Sequence, residues 1–542
     1  MALKKTNPLV FSISSGLFLF AAWPLSPLTF FIFFGFVPLM LLSDYITKAK
    51  LFFGHAFLAM LIFNAATTRW IWNSTDIGSI AAIAANSFLM SLPLLAYHKF
   101  KKRFGKYFSS FAFIVFFMGF EYMHLNWQLS WPWLTLGNVF AAQIDWVQWY
   151  EFTGVGGGSL WALLVNVFFY HWISGANYKI KQVGADAIRT YVSNWRVLII
   201  AVAIFLPMLF SVVLTIRMAV PKPKNNVVVV QPNVDPYSKF ADGNAARQIQ
   251  NLLYLTEQNV DSATQLVIWP ETAMSFDIQE YQLLTNPVYE PVLSYLKYRK
   301  NISILSGIST YKFTKDAHEN AARKLKDGSI VVAYNSAVMM HDSTLPRFYH
   351  KSKLVPGVET MPTFLSFMAP LFEQFGGSAA GYGKSDSAIF LSTPDHKYKC
   401  APVICYESIY GEYVASYVKR GANLITIITN DGWWGNTPGH RQHLAYAKLR
   451  AIETRKWVAR SANTGISAII SPYGDVKETL LWNASGAVKF PVETKQGQTI
   501  YVRLGDYLFK GAAWLSILLL VCLALFTLII KQKINKKDKL II

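Results

Sequence analysis

The sequence predicts a polytopic α-helical membrane domain joined to an α/β domain, and three observations carry that prediction. Hydrophobic residues make up 53% of the 542-residue chain and charged residues 15%, a balance too apolar for an ordinary soluble protein. Apolar runs long enough to cross a bilayer recur about eight times, at roughly 17–25 residues each. Residues 217–510 break that pattern with short strand-like runs (VVVVQ, LVIWPE, ISILSG, PVICYE, LITIIT, SAIISP) separated by polar and helical stretches.

Taken in order, the spans are expected near 8–24, 27–44, 52–72, 81–98, 107–124, 158–174, 196–216 and 511–530. The first lacks a small-residue cleavage site and is followed at once by another span, so it reads as an anchor rather than a signal peptide. The division is therefore 1–216 as a transmembrane domain, 217–510 as an outer α/β domain, and 511–542 as a last span with a basic tail.

A net charge of +20 raises nucleic acid and anionic lipid as partners, and the position of the charge decides between them. Basic residues cluster at the ends of apolar runs, as at Lys48 and Lys50, at Lys101, Lys102 and Arg103, at Lys179, Lys181 and Arg189, and at Lys536, Lys537 and Lys539. Flanking charge of this kind orients a membrane protein, with the basic loops in the cytoplasm. No nucleic-acid partner is expected. The opposite loops, 73–80 and 125–157, contain no lysine or arginine, and the second carries Trp127, Trp131, Trp133, Trp146 and Trp149, as a membrane interface favours. This orientation places 217–510 on the outer face, the periplasm if the cell has two membranes. Of the 3 cysteines, Cys522 lies in the last span. Cys400 and Cys405 are separated by about 16 Å on a strand, too far to form a disulfide.

Chemistry concentrates in three stretches of the outer domain where an apolar run ends in a reactive side chain: LVIWPETAM with Glu271, RFYHKSKLVPGVE with Lys351, Lys353 and Glu359, and APVICYES with Cys405. A carboxylate, an ammonium and a thiol are the parts of a covalent acyl-transfer site: base, oxyanion partner and nucleophile. Each alone has a bland reading, the cysteine as a small buried hydrophobe, the glutamate as a turn residue, the lysines as solvated. Their order adds information that none has singly.

In that order the stretches resemble the nitrilase (carbon–nitrogen hydrolase) superfamily, whose signature is a Glu-Lys-Cys triad, and within it the apolipoprotein N-acyltransferase family. VQPNV at 230–234, NDGWWG at 430–435 and RSANTGISAIISPYG at 460–474 extend the match. The resemblance implies a four-layer α-β-β-α sandwich. It also implies transfer of a fatty acyl chain from a membrane phospholipid, through a Cys405 thioester in a ping-pong cycle, to the α-amino group of a diacylated lipoprotein's N-terminal cysteine. Glu271, Lys351 and Cys405 match the triad; Glu359, Tyr406 and Glu407 match further functional positions. Lys353 is a rival for Lys351, and the interval from Lys351 to Glu359 favours the latter. Phe240 stands where the family can carry a functional tryptophan.

No cofactor or metal is expected. His440 and His443 have metal-like spacing without a third ligand. Trp433 and Trp434 either line the acyl site or pack, and the loop 125–157 with the segment 360–385 is expected to form a hydrophobic mouth. GVGGGS at 154–159 is read as a flexible lead-in to the sixth span, not as a phosphate cradle. Arg69 and Glu121 fall at similar depth and are read as an ion pair or a head-group site. A membrane-tethered amidase using water as acceptor is the alternative enzyme, and a transporter or scaffold the alternative class.

Overall fold

The computed structural model describes residues 6–183, 194–216, 225–241, 243–368 and 381–538. Arg189, the predicted domain junction at 217–224, residues 369–380 of the predicted mouth and the end of the basic tail lie outside them.

Five described helices are long and apolar enough to cross a membrane: Ala49–Asn73, Asp76–Phe104, Lys106–Leu125, Trp195–Ile216 and Tyr507–Ile529. The other three predicted spans take a different form. The first is a shorter helix, Pro8–Ala22. The second breaks at Gly35 and Phe36 into a 3-10 segment, Thr29–Phe34, and a helix, Val37–Tyr45. The sixth lies within a long helix, Val155–Val183, whose buried Asn166 explains why the break is tolerated. Its amide donates to the Ile32 carbonyl at 2.7 Å and its oxygen accepts the Phe36 N–H at 2.8 Å. Backbone polar groups freed inside an apolar bundle need such partners.

The glycines of 154–159 are packing residues rather than a flexible lead-in. The helix already begins at Val155, and a Cβ on Gly158 would lie 1.8 Å from the Tyr150 hydroxyl. They let this helix press against the 3-10 segment Leu136–Ala142.

The α/β domain holds two sheets. Its strands are β1 (Asn226–Gln231), β2 (Thr264–Ile268), β3 (Met274–Ile278), β4 (Ser303–Thr314), β5 (Ala322–Lys324), β6 (Ile330–His341), β7 (Thr344–His350), β8 (Leu391–Ser392), β9 (Lys399–Ile404), β10 (Leu424–Thr429), β11 (Trp457–Ala462), β12 (Ser467–Ile470), β13 (Val476–Leu480) and β14 (Gly486–Pro491). Among the described residues the first sheet runs β14-β1-β2-β4-β6-β5, with β3 on β4 and β7 on β6, and the second runs β13-β12-β11-β10-β9-β8. Strand β1 shows why the sheets stack. Its alternate residues Val227 and Val229 join Val403, Ile425 and Ile427 of the second sheet in one core, as the two-residue period of a strand requires. Val228 and Val230 face the other way, onto Ile249, Leu252, Val292 and Leu296 of the helices Asn244–Glu257 and Glu290–Tyr298. Val414, Tyr417, Ala447 and Ala451, on the helices Gly411–Lys419 and Pro438–Thr454, pack with the second sheet. This is the predicted α-β-β-α sandwich.

Strands β1, β2 and β4 are mutually parallel in their pairings, as are β9, β10 and β11. Their carboxyl ends, where open α/β sheets place ligands, present Glu271 and Cys405.

Candidate active site

Glu271 follows β2 through the Trp269-Pro270 pair, with Trp269 fully buried. The next residue, Thr272, has φ +47°, a conformation that a β-branched residue rarely adopts. Glu271 Oε1 accepts from the Asn335 side-chain amide at 2.7 Å and from Lys351 Nζ at 3.4 Å.

Lys351 directly follows β7 and is 1% exposed. Its ammonium also donates to Glu359 Oε1 at 2.7 Å, while Glu359 Oε2 accepts the Val355 N–H at 2.9 Å. Burial opposes the lysine's charge, but the carboxylates of Glu359 and Glu271 outweigh it and hold its pKa above the ordinary value. Lys353 is eliminated as the partner of Glu271. Strand β7 ends at His350, so the two lysines do not share a strand face, and Lys353 Nζ lies over the Tyr410 and Tyr413 rings at 5.2 and 5.6 Å.

Cys405 directly follows β9 with φ +51°, at a sharp strand-to-helix elbow of the kind that presents a nucleophile and that stores about 1–3 kcal/mol of backbone strain. Burial, reinforced by the Glu271 carboxylate, pushes the thiol above its usual range, against the pull of Lys351. A thiol held this way would need a base in order to react, since only the thiolate is a good nucleophile. All three cysteines are free thiols, and Cys400 is buried.

The side chains of the two residues after Cys405 hold the elbow. Tyr406 donates its hydroxyl to the Ser130 carbonyl at 2.8 Å and stacks on Trp131, with centroids 6.2 Å apart. Glu407 is fully buried. Its Oε1 accepts from the Tyr349 hydroxyl at 2.6 Å and the backbone N–H of Ser352 and Lys353 at 2.7 and 3.2 Å. Its Oε2 accepts the Ile404 N–H at 2.8 Å. Burial lifts this carboxyl to about 7, with the Ile404 N–H and the Tyr349 hydroxyl pulling the other way.

His443 serves the elbow as well. Nδ1 meets Asp431 Oδ1 at 3.0 Å, and Nε2 faces the Ser408 hydroxyl at 2.7 Å and the Cys405 carbonyl at 3.2 Å. Arg460 secures the other Asp431 oxygen at 2.6 Å. Burial opposes charge on Asp431, yet Arg460 and His443 hold its pKa below the usual carboxylate range. His440 instead stacks on Trp482 at 4.4 Å; among the described residues no three potential ligands gather around a metal position.

Trp434 packs against Trp70, Trp133 and His443 at 4.9, 5.5 and 5.4 Å. Trp433 is 37% exposed and meets the Tyr237 ring edge-on. Phe240 is exposed at the surface, with Lys239 Nζ 5.9 Å from its ring. The loop 125–157, expected to form part of a mouth, is largely a buried wedge. Trp133 is buried and donates to Gln442 at 2.8 Å, and Gln128 accepts the Thr363 N–H at 2.8 Å. Glu121 and Arg69 do not pair: Glu121 is buried and accepts the Leu136 N–H at 2.6 Å, whereas Arg69 is exposed.

Asn335 and Lys239 were not among the sequence candidates, and His443 was one only as half of a metal-like pair. Asn335 carried a signal, being a polar residue inside the apolar run VVAYNSAVMM. Lys239 had none that local patterning reveals.

A family model described as carbon-nitrogen hydrolase matches residues 227–498, and one described as apolipoprotein N-acyltransferase N-terminal domain matches 15–168. The chain is 31% identical over 496 residues to the apolipoprotein N-acyltransferase of Chlorobaculum tepidum, covering 89% of this chain and 90% of that one. It is 25% identical over 390 residues to that of Photobacterium profundum, covering 70% and 71%. Among solved structures, an amidase from Nesterenkonia sp. is similar with 15% identity and a TM-score of 0.33, over 51% of this chain and 94% of that one.

Proposed function

Because the chain belongs to the apolipoprotein N-acyltransferase family, we propose that it moves a fatty acyl chain from a membrane phospholipid, through a thioester on Cys405, to the N-terminal α-amino group of a diacylated lipoprotein. The observation that carries this reading is the Lys351 ammonium held between the Glu271 and Glu359 carboxylates at 3.4 and 2.7 Å, with the Cys405 thiol within the field of both Glu271 and Lys351.

In the first half-reaction Glu271 takes the thiol proton and Cys405 sulfur attacks the ester carbonyl carbon of the phospholipid. A C–S bond forms, the ester C–O bond breaks, and Glu271 returns the proton to the departing lysophospholipid oxygen. Lys351 and the backbone N–H of Tyr406 hold the oxyanion. In the second half the acceptor's amine attacks the thioester. A C–N bond forms, the C–S bond breaks, and the amine proton passes by Glu271 to the cysteine sulfur.

The helical bundle suits this chemistry, since donor and acceptor both reside in the bilayer and lateral access limits attack by water. The basic residues at the ends of the apolar helices support placing the α/β domain on the outer face of the cytoplasmic membrane. The test is product analysis with a diacylated lipopeptide and a phospholipid bearing a labelled acyl chain. Label in an amide at the lipopeptide's α-amino group is expected. Labelled free fatty acid with unmodified lipopeptide would favour the hydrolase.

A further inference from the structure

Lys239 is a buried charge at the site that the chemistry above leaves unused. It is 1% exposed, and burying an ammonium is costly unless it is well partnered. Its Nζ donates to the Glu271 backbone carbonyl at 2.8 Å and to the Thr272 hydroxyl at 2.8 Å. Its own carbonyl accepts from the Gln248 amide at 2.6 Å, which anchors it to the helix Asn244–Glu257. Burial lowers its pKa to about 7, and the Glu271 charge acts the other way.

What it grips is the turn that carries the base. Thr272 has φ +47°, so the peptide after Glu271 sits in a conformation its sequence disfavours. The turn is pressed onto β4 at Gly307, where a Cβ would lie 2.4 Å from the Thr272 nitrogen and 2.6 Å from the Glu271 Cα. The Gly307 N–H also donates to the Pro270 carbonyl at 3.1 Å. Glu271 is thus fixed at its carboxylate by Asn335 and Lys351, and at its backbone by Gly307 from one side and Lys239 from another.

We propose that Lys239 is a positioning residue for acyl transfer: its ammonium clamps the strained Glu271-Thr272 turn and so aims the Glu271 carboxylate at Cys405. The clamp acts only through Glu271, and it rests on the reading of Glu271 as the base. A displacement of about 1 Å in a reacting group costs on the order of 100-fold in rate. Phe240 lies exposed beside the clamp, with Lys239 Nζ 5.9 Å from its ring.

The experiment is a double-mutant cycle on the full-length chain. Single-turnover acylation of Cys405 is followed by intact mass, with vesicles of dioleoyl phosphatidylethanolamine as donor. Lys239→Met is expected to slow acylation about 100-fold in the wild-type background and less than about 3-fold in Glu271→Gln, because residues acting through one another are non-additive. Its rate–pH profile should take the steeper, hydroxide-dependent form of Glu271→Gln. Equal losses in both backgrounds would overturn the clamp while leaving the base in place. A Glu271→Gln enzyme that acylates at the wild-type rate would overturn the base, and the clamp with it. If Lys239→Met does not fold, Thr272→Val decides by the same comparison: a loss confined to the wild-type background supports the clamp, and an equal loss in both overturns it.

Discussion

The carboxylate of Glu407, two residues after Cys405, accepts the backbone N–H of Ser352, the residue after Lys351, at 2.7 Å. One buried side chain therefore joins the elbow of Cys405 in one sheet to the end of β7 in the other, so the cysteine and the lysine keep a fixed separation.

Replacing that strut with its amide tests the linkage. Glu407→Gln keeps the size but sets an NH2 group against the N–H of Ile404 or of Ser352. An unsatisfied buried donor costs about 1–3 kcal/mol. Acylation of Cys405 should fall at least tenfold, with the thermal midpoint in detergent lowered. The Glu407 carboxyl is raised to about 7, so between pH 4.5 and 7 the unfolded state ionises first and stability falls as pH rises. Thermal scans across that window should show the fall in wild type and a weaker one in Glu407→Gln.

The two charges at the thiol have opposite signs of effect. Apart from burial, Glu271 raises the Cys405 pKa and Lys351 lowers it. The midpoint of Cys405 alkylation by iodoacetamide against pH should move down in Glu271→Gln and up in Lys351→Met. The first variant should nevertheless lose acyl transfer, because a lower thiol pKa does not replace the base.

Asn166 repairs the broken second apolar segment. Asn166→Leu leaves the Phe36 N–H without its partner and the Ile32 carbonyl with only the Gly35 N–H at 3.4 Å, at a cost of about 1–3 kcal/mol. Detergent unfolding should show a clear loss of midpoint, with little change in the acylation rate of the folded fraction.

Tyr406→Phe removes the hydroxyl bond to the Ser130 carbonyl and keeps the ring on Trp131. A loss of about 1 kcal/mol and an acylation rate within about threefold of wild type are expected. A loss as large as that of Cys405→Ala would place the hydroxyl in the chemistry itself.

The sheets were legible because VVVVQ, LITIIT and SAIISP are apolar runs with β-branched residues, bounded by turn signals. Glu271 and Cys405 were legible because a reactive side chain at the end of such a run is a local pattern. Lys351 needed the interval to Glu359, since the alternation that would have paired it with Lys353 stops with the strand at His350. The second span misled because its composition stays apolar across Gly35, while the helix breaks there and is repaired by Asn166, 130 positions away. Lys239 was illegible because its partners lie 32 and 33 positions distant, beyond any helical or strand period, and His443 showed only its spacing to His440, while its contacts with Ser408 and the Cys405 carbonyl lie 35 and 38 positions away.

The most direct measurement is the intact mass of the full-length protein after incubation with phospholipid alone, before and after hydroxylamine, beside Cys405→Ala. One added acyl mass is expected on the wild type, removed by hydroxylamine and absent from the variant. A folded wild type that gains no acyl mass, or one that gains it equally with Cys405→Ala, would rule out the Cys405 thioester.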